Sequence, residues 1–462
     1  MKKWLIFIAI TFLFYGVSLR YGFSQDDFYF LLISHAGSFQ EVLNFFSPWY
    51  QKGFPFYRPL GTQFYFYIFN MINIGKNIFQ TSYLMHIFML IIQASNGYLV
   101  YKLLKKLQEN EQVSFFVGLM YSIAATHFLS LFYIAATQQL LAAFFSLLSF
   151  NAFFSKKSFL TGLFFLLALL SKENAIILPG IIFLALQLQK KSFKIKFSEL
   201  IYRFFPFIII TIFYLILRFS AGIQVQSTYQ PDFSLSLIST LRWYYLFTFN
   251  FPEELLQFAT SPLTIDYYAY VRDFGFLALI NTISSLILTS LSLFYLAKLL
   301  IHKTKHSIFT FFIYISWWLL GIFLIIWFPL HRYPHYLDLA LIPFFLMLIK
   351  NTKLNLRIFV FILFLISSFT AINISISHHW TTKRAIVSTK VINYFATHKI
   401  CQHDSIYFIG TDNSPQELSY ALSLANGPKI ICNNSSLEVY YQGMSTEPSN
   451  SSIRINIQEL LK

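Results

Sequence analysis

Charge is what this sequence has least of. Asp, Glu, Lys and Arg make up 11% of its 462 residues, against about 25% in soluble globular proteins. Apolar residues make up 56%, with 57 Phe and 29 Tyr, and the mean hydropathy is +0.58. A soluble core cannot bury that much apolar surface, whereas a bilayer can. A cleavage site is missing too. The first apolar run, Trp4 to Leu19, follows Lys2-Lys3 as a signal peptide would, but Leu19-Arg20-Tyr21 stands where small residues are needed, so the run reads as a retained span. No internal repeat of solenoid period is present. Cysteine is nearly absent: Cys401 and Cys432 are the two in the chain. An oxidising compartment would permit a bridge between them; two buried free thiols are the other reading, because sequence does not fix their separation.

A hydrocarbon core about 30 Å thick needs roughly 20 mostly apolar helical residues. That rule marks about 11 segments: 4–19, 78–101, 113–127, 134–154, 158–171, 174–189, 200–219, 274–300, 307–328, 336–349 and 357–377. The pair 158–171 and 174–189 is short, and reads either as two spans or as one re-entrant hairpin across 158–189. With the N-terminus cytoplasmic, the short inside loops carry 18 basic residues, including Lys191, Lys194, Lys196 and Lys303. The outside loops carry nine, Lys52 and Lys76 among them, spread over much more chain. This asymmetry places the C-terminal tail outside a cytoplasmic (plasma) membrane. The net charge of +15 is therefore a topology signal and does not point to nucleic acid. Acids run the other way: ten of the 13 before the tail fall outside. Topology rules barely constrain acids, so their clustering asks for a chemical reason.

The fold class that follows is an all-α polytopic membrane domain, residues 1–377, with a small C-terminal soluble α/β domain at 378–462. Two outside loops are long. Residues 20–77 are rich in aromatics and suit amphipathic helices lying in the interface; residues 220–273 hold three prolines and five acids. In the tail, Ser405–Gly410 reads as a strand, Pro415–Asn426 as a helix capped by Ser414 with Glu417 completing the box, and Lys429–Asn433 as a second strand.

Four outside loops carry the residues that suit catalysis. Asp26-Asp27 follow the first span; adjacent residues point different ways on any regular element, so the two have different roles. A solvated pair or a helix cap is the plain alternative. Arg58 lies in Phe-Tyr-Arg-Pro-Leu-Gly and has a snorkelling arginine as its alternative. Lys172-Glu173 sit between two apolar runs with almost no polar buffer, a place where charge is a functional suspect and a self-satisfying ion pair the alternative. His331-Arg332-Tyr333-Pro334-His335-Tyr336, followed by Asp338, is the last cluster; an interfacial Tyr and Arg belt would also explain it. His127 alone reads as structural. Transporters place ionisable groups near the midplane; here His86 is nearly the sole such group well inside a span. The pattern favours an interfacial active site.

The order of these motifs resembles the GT-C class of membrane glycosyltransferases, most closely the protein O-mannosyltransferases and the membrane part of the tetratricopeptide-repeat transmembrane O-mannosyltransferases. The likeness rests on Asp26-Asp27, on Tyr57-Arg58-Pro59-Leu60 running to Asn70 and to Tyr83-Leu84-x-His86, on His127, on Ser171-Lys172-Glu173 through Pro179, and on Arg332-Tyr333 before Pro343. It covers about residues 1–350. Two departures stand out. The family's His-Pro-x-His-x-Glu turn is His127-Phe-Leu-Ser here, and Thr137-Gln138-Gln139 replaces its Arg-x-Asp. The resemblance implies a polyprenyl-phosphate-linked sugar as donor and a hydroxyl acceptor on a protein or an envelope glycan or lipid, with membrane lipids as surroundings. Asp26 would be the base, with Asp27 supporting it or joining it in holding a divalent cation such as Mg or Mn. Arg58, Lys172, Glu173, His331, Arg332 and Tyr336 would bind the donor, with His86 and His127 as further candidates. A single base attacking directly would invert the anomeric centre. A lipid-linked sugar flippase and an inactive lipid-binding scaffold of the same fold are the rival readings.

Overall fold

The computed structural model describes residues 2–50, 56–72, 78–190, 197–222, 230–234, 236–301, 304–350, 352–411, 413–444 and 452–461. Lys52, Lys76, Lys191, Lys194, Lys196 and Lys303, which enter the charge asymmetry, lie outside them. In chain order the helices are α1 (Lys2–Tyr15), α2 (Asp26–Ile33), α3 (Phe39–Asn44), α4 (Tyr65–Ile72), α5 (Ile78–Lys106), α6 (Glu111–Ile123), α7 (Phe128–Phe132), α8 (Thr137–Phe154), α9 (Ser158–Ser171) and α10 (Leu178–Lys190). There follow α11 (Phe197–Ser220), α12 (Ser236–Thr248), α13 (Tyr267–Ile301), α14 (Lys305–Ile322), α15 (Leu341–Lys350), α16 (Leu354–His378) and α17 (Trp380–His398).

Seven helical stretches among the described residues are long and apolar enough to cross a membrane, out of about 11 expected. They are Lys2–Arg20, Ile78–Lys106, Glu111–Phe132, Ile134–Phe154, Ile201–Ser220, Tyr267–Ile301 and Leu354–His378. The other four expected spans are helical but fall short. At 1.5 Å rise per residue, α9, α10 and α15 reach roughly 21, 20 and 15 Å. Lys305 and His306 at the start of α14 lower its apolarity. These short helices have other work: α9 packs along α8, α10 along α14, and α15 against α6. Helix α13 bends at Gly275, whose φ of 69° and ψ of −151° suit a residue without Cβ.

The loop at 20–77 forms α2, α3 and α4, short and aromatic as its composition predicts. The tail holds a three-stranded parallel sheet, β1 (Ser405–Ile409), β2 (Glu438–Tyr441) and β3 (Ile453–Asn456), in the order β2-β1-β3 with Tyr407 between Tyr440 and Arg454. Helices α18 (Ser414–Ala421), α19 (Asn426–Ile431) and α20 (Ile457–Leu460) complete it. Two local expectations change. Lys429–Asn433 is not a strand but belongs to α19 and the turn after it. Pro428 has no N–H for a strand ladder, and its fixed φ suits a helix's first turn. Asn413, not Ser414, occupies the cap of α18, and Ser414 Oγ donates instead to the Thr411 carbonyl at 2.7 Å. Cys401 and Cys432 are disulfide-bonded. The tail is joined to the helical part by one continuous core, in which Val391, Phe408 and Leu418 share a cluster with Phe23, Phe28 and Ile372.

Candidate active site

The acidic pair divides as its geometry demands. Gln25 takes a positive φ of 52° just before α2, and this turn sends Asp27 inward. Its two oxygens accept the N–H groups of Ser24 at 2.8 Å and Ala135 at 2.6 Å, so a buried carboxylate ties the start of α2 to the segment before α8. Asp26, roughly 100° around the helix, faces a cavity of about 800 Å³. Its backbone N–H donates to Tyr133 Oη at 3.1 Å. The carboxylate itself stays accessible through the cavity mouth, but burial among the concave walls raises its pKa, against the pull of the Tyr133 hydroxyl.

Arg58 reaches the same cavity because Pro59 opens a π-helical turn, Leu60–Phe64, with Phe64 N–H bonded to the Pro59 carbonyl at 2.9 Å. Gly61 in that turn lies flat on its neighbours: a Cβ there would come within 2.6 Å of Gln138 Cβ and 2.7 Å of the Ser171 carbonyl. The missing side chain lets the turn close on α8 and α9. The Arg58 guanidinium is then held on three sides. Its Nε donates to Glu173 Oε2 at 2.6 Å, its Nη2 donates to Glu173 Oε1, and its Nη1 donates to Gln138 Oε1 at 2.7 Å. Burial opposes the Glu173 charge, but the charge and hydrogen bonds of Arg58, with Arg218 behind, hold its pKa at about 2.

Lys172 is buried on an extended residue between α9 and the following 3-10 turn. Its Nζ lies 4.5 Å from the centre of the Tyr336 ring, a cation–π contact. Both nearby acids are engaged elsewhere: Glu173 with Arg58, and Asp338 with Gln139 Nε2 at 2.5 Å and His127 Nδ1 at 3.4 Å. Burial, then the charge of Arg58, push the Lys172 pKa down to about 7. Asn174 donates to Gln139 Oε1 at 3.0 Å and extends this network.

The last cluster splits by backbone geometry. His331, Tyr333, His335 and Tyr336 line the cavity with Asp26, Arg58 and Lys172, whereas Arg332 lines a second cavity of about 460 Å³. The chain runs extended into Pro334, with Tyr333 at φ −93° and ψ 129°, and successive side chains of extended backbone point to opposite sides. Burial and the Lys172 charge keep the His335 pKa well below its usual value, so that ring is neutral. His86 and His127 stand outside the cavity; His86 is buried with Nδ1 3.0 Å from the Leu131 carbonyl. The cavity also takes residues the sequence reading did not single out for this site: Tyr29, Tyr133, Gln138, Trp380 and Arg384. Arg384 Nη1 donates to Gln25 Oε1 at 2.7 Å, and its Nε donates to Glu417 Oε2 at 3.2 Å. Gln138 carried a signal, its place in the Thr137-Gln138-Gln139 departure; Trp380 and Arg384 lie beyond the boundary drawn at 377.

Among the described residues no three His, Cys, Asp or Glu side chains converge to hold a metal ion. With both Asp27 oxygens bound to backbone N–H groups, Asp26 is the one carboxylate among the described cavity residues; a Mg or Mn ion there would take its other ligands from waters and the donor phosphate, not from a protein cage.

The sequence matches no protein-family description and no curated protein. In three dimensions the chain is similar to the oligosaccharyltransferase AglB of Archaeoglobus fulgidus in complex with an inhibitory peptide and a dolichol-phosphate, at 11% identity and a TM-score of 0.44, covering 91% of this chain and 63% of that one. It is also similar to the A. fulgidus oligosaccharyltransferase tethered to an acceptor peptide containing the NVT sequon, at 10% identity, TM-score 0.44, and 95% and 63% coverage. The chain thus spans 63% of the length of each of these enzymes.

Proposed function

We propose that this chain is a membrane glycosyltransferase of the GT-C type, moving a sugar from a polyprenyl-phosphate-linked donor to an acceptor hydroxyl in the Asp26 cavity. One observation carries the reading. An accessible carboxylate and a buried ammonium whose neighbouring acids are engaged elsewhere, delivered by separate loops, line one cavity large enough for a sugar phosphate. The acceptor oxygen attacks the anomeric carbon as the bond from that carbon to the phosphate oxygen breaks, and the electron pair leaves with the phosphate. Asp26 takes the hydroxyl proton, a task its raised pKa suits. Lys172 meets the charge growing on the leaving phosphate, with His331 and Tyr336 beside it. Arg58 and Glu173 act by position, fixing the Lys172 turn against α8. One base and direct attack invert the anomeric centre. The charge asymmetry of the sequence sets the cavity on the extracytoplasmic face of the plasma membrane, where an O-mannosyltransferase-like acceptor on a protein or an envelope component would be met.

The experiment is Asp26→Asn, which keeps shape but removes the base. Transfer from a polyprenyl-phosphate sugar falls by at least about 10², while binding of polyprenyl phosphate is unchanged or tighter, since a nearby negative charge is gone. Full transfer by this variant would refute the assignment.

A further inference from the structure

The second cavity, on the far side of the His331–Tyr336 segment, has its own chemistry. Its walls are hydroxyl-rich, with Ser239, Thr260 and Ser261 beside Trp243 and Arg332, and no acid lines it among the described residues. Arg242, next to Trp243 on α12, lies with its guanidinium 4.8 Å from that ring's centre. Among the described residues, Arg242 Nε and Nη2 and Arg332 Nε are buried without a hydrogen-bond acceptor. Arg242 and Arg332 repel each other, an addition to the burial that lowers the Arg332 pKa. Asp232 accepts from the N–H and hydroxyl of the lining residue Ser234 at 2.8 and 2.9 Å. Buried charged donors left unmatched are destabilising; Arg332 lines this polar hollow, and Arg242 stands behind its Trp243 wall, close enough to act on the Arg332 charge.

Large apolar side chains stand exposed beside its lining residues in the chain. Phe233, Ile238 and Leu263 adjoin lining residues in sequence and are 73%, 52% and 65% exposed; Leu330, two residues before Arg332, is 76% exposed. A free phosphate would have no use for that rim. An amphiphile would use both parts.

We propose that Arg242 and Arg332 form a lipid-headgroup site, distinct from the Asp26 cavity, that takes the phosphate of an anionic membrane lipid while its chains lie on the Phe233, Ile238, Leu263 and Leu330 rim. Paired guanidiniums offer several N–H groups in fixed planes to phosphate oxygens, and hydroxyls complete the cradle. Arginine forks are the side chains that most often recognise phosphate in two-point contact.

The test uses the full chain in nanodiscs of phosphatidylcholine doped with a few per cent phosphatidylglycerol, counting the anionic lipids that stay bound through native mass spectrometry. The wild-type chain retains phosphatidylglycerol over phosphatidylcholine, and the Arg242→Gln/Arg332→Gln double variant loses at least about tenfold of that preference. Arg332→Lys, which keeps the charge and guards against misfolding of the double variant, retains part of it. Inorganic phosphate at millimolar concentration does not compete. Equal retention of the two lipids by the wild type, an unchanged preference in the double variant, or full displacement by inorganic phosphate would each overturn the proposal. Asp26→Asn leaves the lipid preference intact, so failure of this site and failure of the transfer reaction are told apart.

Discussion

Lys172 gives the site a pH dependence that can be worked from its surroundings. Lowering its pKa from 10.5 to about 7 corresponds to a penalty on the order of 4–5 kcal/mol on the charged form. At pH 6 the ammonium is charged; at pH 8 roughly one molecule in ten remains protonated. The unfolded lysine stays charged to about pH 10.4, so between roughly pH 7 and 10 the unfolded chain binds the extra proton and this group makes the empty protein more stable as pH rises. A bound phosphate reverses the preference by restoring an anion beside Nζ. Affinity for the donor then falls by up to about tenfold per pH unit above 7, and at pH 8 binding takes up close to one proton. Calorimetry in buffers of different ionisation enthalpy measures that uptake directly. The sugar-linked donor is the ligand of choice, because its phosphodiester does not titrate in this range. In Lys172→Met the uptake vanishes, affinity drops at pH 6, and the empty protein melts higher because the buried ammonium is gone. Donor affinity that is flat from pH 6 to 9 in the wild type would sink the reasoning.

Glu173→Gln leaves Arg58 buried without its carboxylate; we expect a loss of about 3–5 kcal/mol in thermal unfolding, and Arg58→Lys recovers little, since the two-point contact needs a planar fork. A near-wild-type melting temperature in Glu173→Gln would show that the pair is not structural. Gly61→Ala drives a methyl group into Gln138 and Ser171; expected is a loss of both stability and donor binding, read by melting and calorimetry. Reducing Cys401–Cys432, which closes a separation of 31 residues, lowers tail stability by roughly 2–4 kcal/mol, and two freely alkylated thiols in the oxidised native protein would refute the bridge. Single cysteines placed at 157, 304 and 352 stay unlabelled by an impermeant thiol reagent in intact cells while one at 415 labels; the opposite pattern reverses the proposed orientation.

What could be read from sequence was the set of charges that have no business beside hydrocarbon. Asp26, Arg58 and Lys172 stood out against apolar flanks, and His331 and Tyr336 as part of a polar run between apolar ones; all five line one cavity. What could not be read was who holds whom. That Glu173 and Gln138 occupy the Arg58 fork depends on contacts 115 and 80 residues apart in sequence. That Arg332 turns away depends on an extended backbone that a charge pattern does not reveal. Of about 11 expected spans, seven meet the length and apolarity of a crossing helix among the described residues, for a related reason. A short helix lying deep within a bundle and a membrane-crossing helix are both apolar, and length separates them only after the ends are known. The Lys429–Asn433 segment misled through Ile430-Ile431, a strand-like pair overruled by Pro428 just before it.

The bond from Gln25 N–H to the Ala421 carbonyl, at 2.8 Å, and the Arg384 contact with Gln25 have a consequence for how the protein is made. The turn that aims Asp26 is braced by residues the ribosome reaches about 360 to 400 positions later, and at about 5–20 residues per second that interval is roughly 20–80 s. Until Trp380 and Arg384 arrive, one wall of the cavity is missing and the carboxylate is unbraced. Each nascent chain therefore carries an open, unassembled pocket until Trp380, Arg384 and Ala421 have been made, and completion of the site waits on them.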